Sequence, residues 1–420
     1  MNTSLSTATD PCAAAELSVE DALQTVLAEA RPVSGVDVVP LADAVGRVAA
    51  DDITVPRPVP GHTNAAVDGY AFRACDLAAG SDPTAFRLIG ESLAGTPFAG
   101  VVGLGETVRI MTGAVLPGGA DTVVMQEEVA HSGDDVLIGP RCPPGANIRP
   151  AGEDWRQGEI ALAAGRWLTP ADIGVGTSLG LESLRVVRRM AVGVLSTGSE
   201  VRAVGQALEA GSVYDSNRQM LLAALRRLGV IVHDLGIVPD DEAELARRLL
   251  DASAHCDAIL TSGGVSAGKA DLVRPVVAAT GEIRFWRIAM RPGRPFAFGR
   301  IGNAALFGLP GNPVSAIVSF YWLVRPALEK SMGITDRPLV PLVPAIAASP
   351  FPKRPGRMEF QRAVLQADGQ GGYTVRSTGD QGSGMLRSMV VANGLTVLAT
   401  ERGPVSAGEA VPVLPFSALV

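Results

Sequence analysis

Cysteine and histidine are scarce in this chain, four of each in 420 residues. The cysteines (Cys12, Cys75, Cys142, Cys256) form no CxxC pair, and the histidines (His62, His131, His233, His255) stand apart. Such spacing argues against a zinc cage and a disulfide framework, and it suits a reducing compartment. Any metal is expected to be a hard cation held by oxygen ligands. Long apolar runs are also missing: no stretch of about 18 apolar residues occurs, so no membrane span is expected. The opening "MNTSLSTATDPCAAAELSVEDAL" has neither a basic segment nor an apolar core, so no secretory signal is read and a cytoplasmic protein is expected. Positive charge is in deficit. With 36 Lys and Arg against 43 Asp and Glu, the net charge of −7 argues against a nucleic-acid surface but not against local basic pockets.

Apolar residues, at 47%, are plentiful enough for sizeable cores. A chain of this length implies roughly two to four domains. Residues 18–30, "SVEDALQTVLAEA", predict an amphipathic helix capped by Ser18, and 41–50 predict a second short helix. "VPRPVPG" (55–61) interrupts regular structure, and short strand-like runs fill about 84–140. "LTPADIGVGTSLGL" (168–181) predicts a helix with Thr169 as cap and Pro170 in its first position. From 188 to 330, apolar runs such as "MAVGVLS", "VIVHDLGIV" and "DAILTS" alternate with helical segments. That alternation predicts a doubly wound, mostly parallel α/β domain, with ligands beyond the carboxyl ends of its strands. The tail after about 338 is again β-rich and reads as a separate all-β domain.

The turns at those strand ends carry the chemistry. "STGSE" supplies Ser196, Thr197 and Glu200, and "VYDSN" supplies Tyr214, Asp215 and Asn217. "VPDD" supplies Asp240 and Asp241, and "TSGGVSAGKAD" (261–271) supplies Ser262, Gly263, Gly264, Ser266, Lys269 and Asp271. "LPGNPVS" adds Asn312 and Ser315. Glycine-rich strand-to-helix turns let backbone N–H groups approach an anion at a helix N-terminus. Taken singly, Asp215 and Asp240 are equally readable as helix caps. Together, the hydroxyls, glycines and carboxylates suit phosphate chemistry with a divalent cation. A basic set, Arg287, Arg291, Arg294 and Arg300, surrounds "RPGRP" among apolar residues, where guanidinium forks suit tetrahedral oxyanions. Asp68, Thr112, Glu153 and Asp154 lie in turns outside the sheet and mean little alone.

In order along the chain stand "NAAVDGYAF", "RIMTGAVLPGGADTVVMQEE", "NIRPAGEDWRQGE", "VGVLSTGSEV", "VYDSNR", "TSGGVSAGKAD", "RPGRPFAFG", "LPGNPVSA", "EFQRAVL" and "TGDQGSGML". This series resembles the MoeA family of molybdopterin molybdotransferases, which includes the gephyrin E domain, from about residue 16 onward. The resemblance implies an α/β catalytic domain (16–38 and 181–338) and an elongated connecting domain (39–56 and 153–180). It also implies a β-rich insert (57–152) and a C-terminal β-barrel-like domain (339–420).

The implied reaction takes adenylylated molybdopterin, molybdate and Mg²⁺, cleaves the phosphoanhydride and releases AMP. By matching motif position, the acidic and polar set is Asp68, Thr112, Asp154, Glu200, Asp240 and Asp271, with Glu200, Asp240 and Asp271 as metal ligands. Molybdate falls to Arg291, Pro292, Arg362 and Ser383. The pterin substrate falls to Ser196, Thr197, Gly263, Gly264, Ser266, Arg287, Arg294, Pro310 and Pro313. Several family members carry lysines at the positions of Arg287, Arg291 and Arg294, which keeps charge but changes reach. A homodimer with the active site at the subunit interface is implied, as is transient contact with molybdopterin adenylyltransferase and apo-molybdoenzymes. Molybdopterin adenylylation and a gephyrin-like scaffold are the alternative readings.

Overall fold

The structure is a computed structural model that describes residues 16–265 and 272–419. Ser266, Lys269 and Asp271 lie outside the described residues.

The segment from Ala191 to Leu309 forms the central sheet. Its strands are β1 (Ala191–Thr197), β2 (Ile231–Val238), β3 (Ala258–Ser262), β4 (Glu282–Arg287), β5 (Pro295–Ile301) and β6 (Ala304–Leu309). Across the sheet the order is β2-β1-β3-β6-β5-β4. The first four run parallel, and β5 runs antiparallel to both its neighbours, β6 and β4. Every residue of β1 and β3 is buried, as strands covered on both faces require. The doubly wound, mostly parallel expectation is borne out.

Local chemistry starts the flanking helices. Ser18 caps Val19–Glu29, and Asp215 caps Ser216–Arg227 by accepting from the Arg218 N–H. Asp241, rather than Asp240, caps Glu242–Ser253. Asp240 instead accepts from the Ser199 N–H at 2.8 Å, tying two strand-end turns together. Pro313–Ser319, a π-helical turn Phe320–Val324 and Arg325–Ser331 follow one another directly. The widened turn falls just before Pro326, which has no N–H to donate.

In the C-terminal region, Met358–Ala367 pairs with both Tyr373–Ser377 and Gly394–Leu398, closing a five-stranded barrel. The two-residue strand Met290–Arg291 joins the barrel beside Met358 and Glu359. Trp322 packs against Phe360 with ring centroids 4.7 Å apart, so one core runs from the central helices into the barrel. The region is not purely β, because Leu386–Val391 is helical.

Residues between Gly69 and Ile138 form an open six-stranded sheet. A thin connecting layer joins it to the rest. There Val36–Pro40 pairs with Ser183–Val187, and Thr169 with Asp172 forms a capping box on Pro170–Ser178. The helix expected over 41–50 is only a 3-10 turn, Leu41–Ala44. Gly46 takes φ 71°, and Val48 and Ala49 bridge to Trp167 and Val186. Among the described residues, no helix is long and apolar enough to cross a membrane.

Candidate functional site

At the carboxyl ends of β1, β3 and β6 lies a cavity of about 360 Å³. Ser196, Thr197, Glu200, Asn217, Gly263 and Pro313 are among its walls. Asn217 links the ends of β3 and β6. Its amide donates to Ser262 Oγ at 2.9 Å and to the Gly311 carbonyl at 2.8 Å. Asp215 performs a similar task on the other side. It is buried and accepts from Ser196 Oγ (3.0 Å), the Arg218 N–H (3.0 Å) and Arg218 Nε (2.8 Å). Its capping and structural roles are therefore both occupied. Ser196 is fixed by this network, which extends through Arg218 to Asp234.

The turn after β3 must be glycine. Gly263 has φ 85°, and a Cβ there would lie 2.6 Å from the Thr197 carbonyl oxygen. Gly264 has φ 67°, and its Cβ would lie 2.8 Å from Thr197 Oγ1. Only bare backbone fits so close to β1, and the Gly263 N–H is spent on the Leu309 carbonyl at 3.1 Å, which ties the turn to the end of β6.

A smaller cavity of about 260 Å³ lies against the barrel, lined by Arg291, Pro292, Glu359, Gln361, Arg362 and Gln381, among others. Arg362 is only 1% exposed, yet among the described residues no carboxylate lies within ion-pair distance of it. Its Nε donates to Ser388 Oγ at 3.0 Å and its Nη2 to the Gly382 carbonyl at 2.9 Å. Burial pushes its pKa down to about 10, with Asp380 opposing. Arg291 reaches Glu359 at 3.6 Å and is largely exposed. A buried guanidinium without a counter-ion, with a second one paired to Glu359 on the same cavity, has the chemistry to receive an oxyanion.

One segment, residues 379–386, contributes to both cavities. Gly379 and Gln381 line the smaller one, and Gly384 and Leu386 line the larger. Between them, the Ser383 carbonyl accepts from the Val314 N–H at 3.1 Å, anchoring the segment to the helix that begins at Pro313.

Three family models match successive parts of the chain: the MoeA N-terminal region (domain I and II) over residues 17–180, a probable molybdopterin binding domain over 193–330, and the MoeA C-terminal region (domain IV) over 344–416. A molybdopterin molybdenumtransferase of Haemophilus influenzae is 42% identical over 381 residues, covering 90% of this chain and 94% of the relative. The chain belongs to the MoeA family. Molybdopterin molybdenumtransferase 2 of Mycobacterium tuberculosis is 37% identical, over 93% of this chain and 97% of its own length. A solved molybdopterin biosynthesis moeA protein from Pyrococcus horikoshii superposes with a TM-score of 0.83 at 29% identity, covering 95% of this chain and 99% of that one.

Within this MoeA-family chain, the site positions read from the sequence separate into groups. Ser196, Thr197, Glu200, Gly263 and Pro313 line the larger cavity, and Arg291, Pro292 and Arg362 line the smaller. Pro310 is buried behind the first, and Ser383 lies between the two. Gly264 lies in the turn beside Thr197, and Arg287 is exposed on β4. Arg294 pairs with Glu16.

Asp68, Thr112 and Asp154 are elsewhere in the protomer. Asp68 accepts from the Thr112 N–H and Oγ1, both at 2.7 Å, which holds its carboxyl below the usual range. Asp154 lies exposed in the connecting layer. Sequence reading left Gln381, Ser388 and Gly311 out of the site. They act through backbone and side-chain contacts that no motif spacing reveals.

For a cation, no cluster of three metal-ligating side chains occurs among the described residues. Glu200 lines the larger cavity, and Asp240 accepts from the N–H of the preceding residue, Ser199. Mg²⁺ usually takes only one or two protein carboxylates and completes its shell with phosphate and water. This sparse oxygen set fits it.

Proposed function

We propose that the protein inserts molybdenum into adenylylated molybdopterin, using molybdate and Mg²⁺ and releasing AMP as the phosphoanhydride is cleaved. It is a transferase of molybdenum cofactor biosynthesis. The segment that reaches both cavities supports the finer reading: residues 379–386 contribute to a hydroxyl- and glycine-lined cavity suited to a pyrophosphate bridge and to a guanidinium pocket suited to a tetrahedral dianion. Gly263, Gly264, Thr197 and Ser196 cradle the bridge together with Ser266, while Pro310 and Pro313 shape the opposite loop. Arg362, Arg291, Pro292 and Ser383 orient molybdate toward the dithiolene, and Arg287 and Arg294 extend the positive rim.

Glu200, Asp240 and Asp271 hold Mg²⁺, which neutralises phosphate charge when bound. Fixed donors aimed at the bridge lower the barrier to breaking its P–O bond. Asp68, Thr112 and Asp154 complete the site from a second copy of the chain in a homodimer, since this protomer keeps them away from both cavities.

Complementation tests the reading. Asp154→Ala and Glu200→Gln are each expected to lose AMP release, and mixing them to recover part of it through hybrid dimers. Failure to recover, with both variants folded and exchanging subunits, would place the site within one protomer. Asp271→Ala is expected to abolish AMP release with the fold intact; wild-type turnover would remove Asp271 from the mechanism.

A further inference from the structure

A third cavity, of about 520 Å³, lies at the opposite end of the central sheet. It opens where β1, β3 and β6 begin, under the end of helix Val19–Glu29. Met190, Phe298 and Phe307 give it an apolar floor, and all three are buried. Its volume lies in the range of small-molecule sites.

Charge on its walls does not cancel. Arg188 is spent on Asp257, donating at 2.9 and 2.7 Å to the two carboxylate oxygens. Glu29 is taken by Arg284 at 3.0 Å. His255 also lines the cavity. That leaves Arg31 and Arg300. Arg300 is 7% exposed, and its Nε is buried without a hydrogen-bond partner. Its Nη2 donates to the Asn303 carbonyl, and among the described residues no carboxylate lies within ion-pair distance of it. Arg31 is exposed and has no ion-pair partner among the described residues. Burial, and then Arg31 nearby, push the Arg300 pKa below its ordinary value against Glu29 and Glu282. A buried guanidinium is costly without an anion, and the buried Arg300 with the exposed Arg31 lining one space match a dianion better than a monoanion.

We propose that this cavity is a second binding site, separate from the reaction site, for a small organic phosphate: Arg300 and Arg31 hold the phosphoryl group and the Met190–Phe298–Phe307 floor receives the apolar body. It does not depend on the reaction assigned above, because it shares no lining residue with either of the other cavities.

The test is co-crystallisation of the full chain with 4-bromophenyl phosphate, located by bromine anomalous scattering, with affinities by calorimetry. Bromine over Phe298 and phosphate between Arg31 and Arg300 is the expected result. Arg300→Gln is expected to weaken binding by roughly tenfold or more, as loss of a charge-assisted contact does. Should that variant fail to fold, Arg31→Gln at an exposed position is expected to weaken binding several-fold. Density only in the Arg291–Arg362 pocket, or none, would overturn the proposal, as would an affinity unchanged by both substitutions. Equal binding of 4-bromobenzoate would overturn the phosphate assignment, and binding of inorganic phosphate as tight as the aryl ester would remove the apolar floor from it.

Discussion

Replacing Arg362 by methionine separates oxyanion binding from folding. Lowering the group from the ordinary arginine range to about 10 corresponds to a penalty of roughly 3 kcal/mol for keeping its charge buried. The uncharged thioether side chain would escape that penalty. The substitution forfeits two hydrogen bonds, to Ser388 Oγ and the Gly382 carbonyl. Bonds from a charged donor contribute about 1.5–3 kcal/mol each. The backbone N–H of residue 362 keeps its bond to Gln381 Oε1 at 2.8 Å, so the strand stays anchored.

The terms nearly cancel, and the variant is expected to be destabilised by no more than about 3 kcal/mol. On the proposed function, molybdate binding has no such compensation. Loss of the fork facing the small cavity is expected to cost about 3 kcal/mol, or more than a hundredfold in Kd. Thermal unfolding of both proteins across a molybdate titration reads both quantities. Wild type is expected to gain Tm with molybdate while Arg362→Met does not, its baseline Tm falling only modestly. A variant with the wild-type molybdate response would refute the assignment of Arg362, and one that does not fold would refute the cancellation.

Asp215→Ala is expected to cost roughly 3–5 kcal/mol in urea unfolding, because it strips a cap and one partner from a buried arginine. Asp215→Asn, which keeps the cap acceptor, should lose less, and equal losses would contradict this. Gly263→Ala is expected to destabilise by at least about 1–2 kcal/mol through its left-handed backbone alone, and to lose AMP release as the turn moves; an unaffected enzyme would contradict the close packing against Thr197. Burial raises the Asp257 pKa, but the Arg188 pair and the Ala191 N–H outweigh it and hold it below the ordinary carboxylate value. The stability that Asp257 contributes is therefore present above its unfolded pKa of about 4 and lost as pH falls through the folded value. Arg188→Gln is expected to flatten the loss of stability between about pH 5 and pH 3, and an unchanged slope would assign the acid sensitivity elsewhere.

Signals local to a few residues were readable in the sequence. Ser18, Thr169 with Pro170, and Asp215 announced their helices, and the unbroken apolar runs of β1 and β3 announced a sheet buried on both faces. Glycine turns at the strand ends located the larger cavity. Less was legible where two neighbours compete or where partners are remote. Asp240 and Asp241 are both able to cap, and only the position of Ser199 decides which one does. The 41–50 helix gave way because Trp167 and Val186, far along the chain, offered bridges to Val48 and Ala49. Barrel closure likewise depends on Met358–Ala367 finding two partners at once. The segment that contributes to both cavities is held where the Ser383 carbonyl meets the Val314 N–H, a contact between a barrel loop and a helix start remote in sequence that no local pattern encodes.

The most direct measurement of the central claim is AMP release from adenylylated molybdopterin by the purified protein with Mg²⁺, molybdate present or absent, followed by reconstitution of an apo-molybdoenzyme. Molybdate-dependent AMP release with active reconstituted enzyme is the expected result. A folded protein that binds the substrate yet releases no AMP and reconstitutes nothing would contradict the claim.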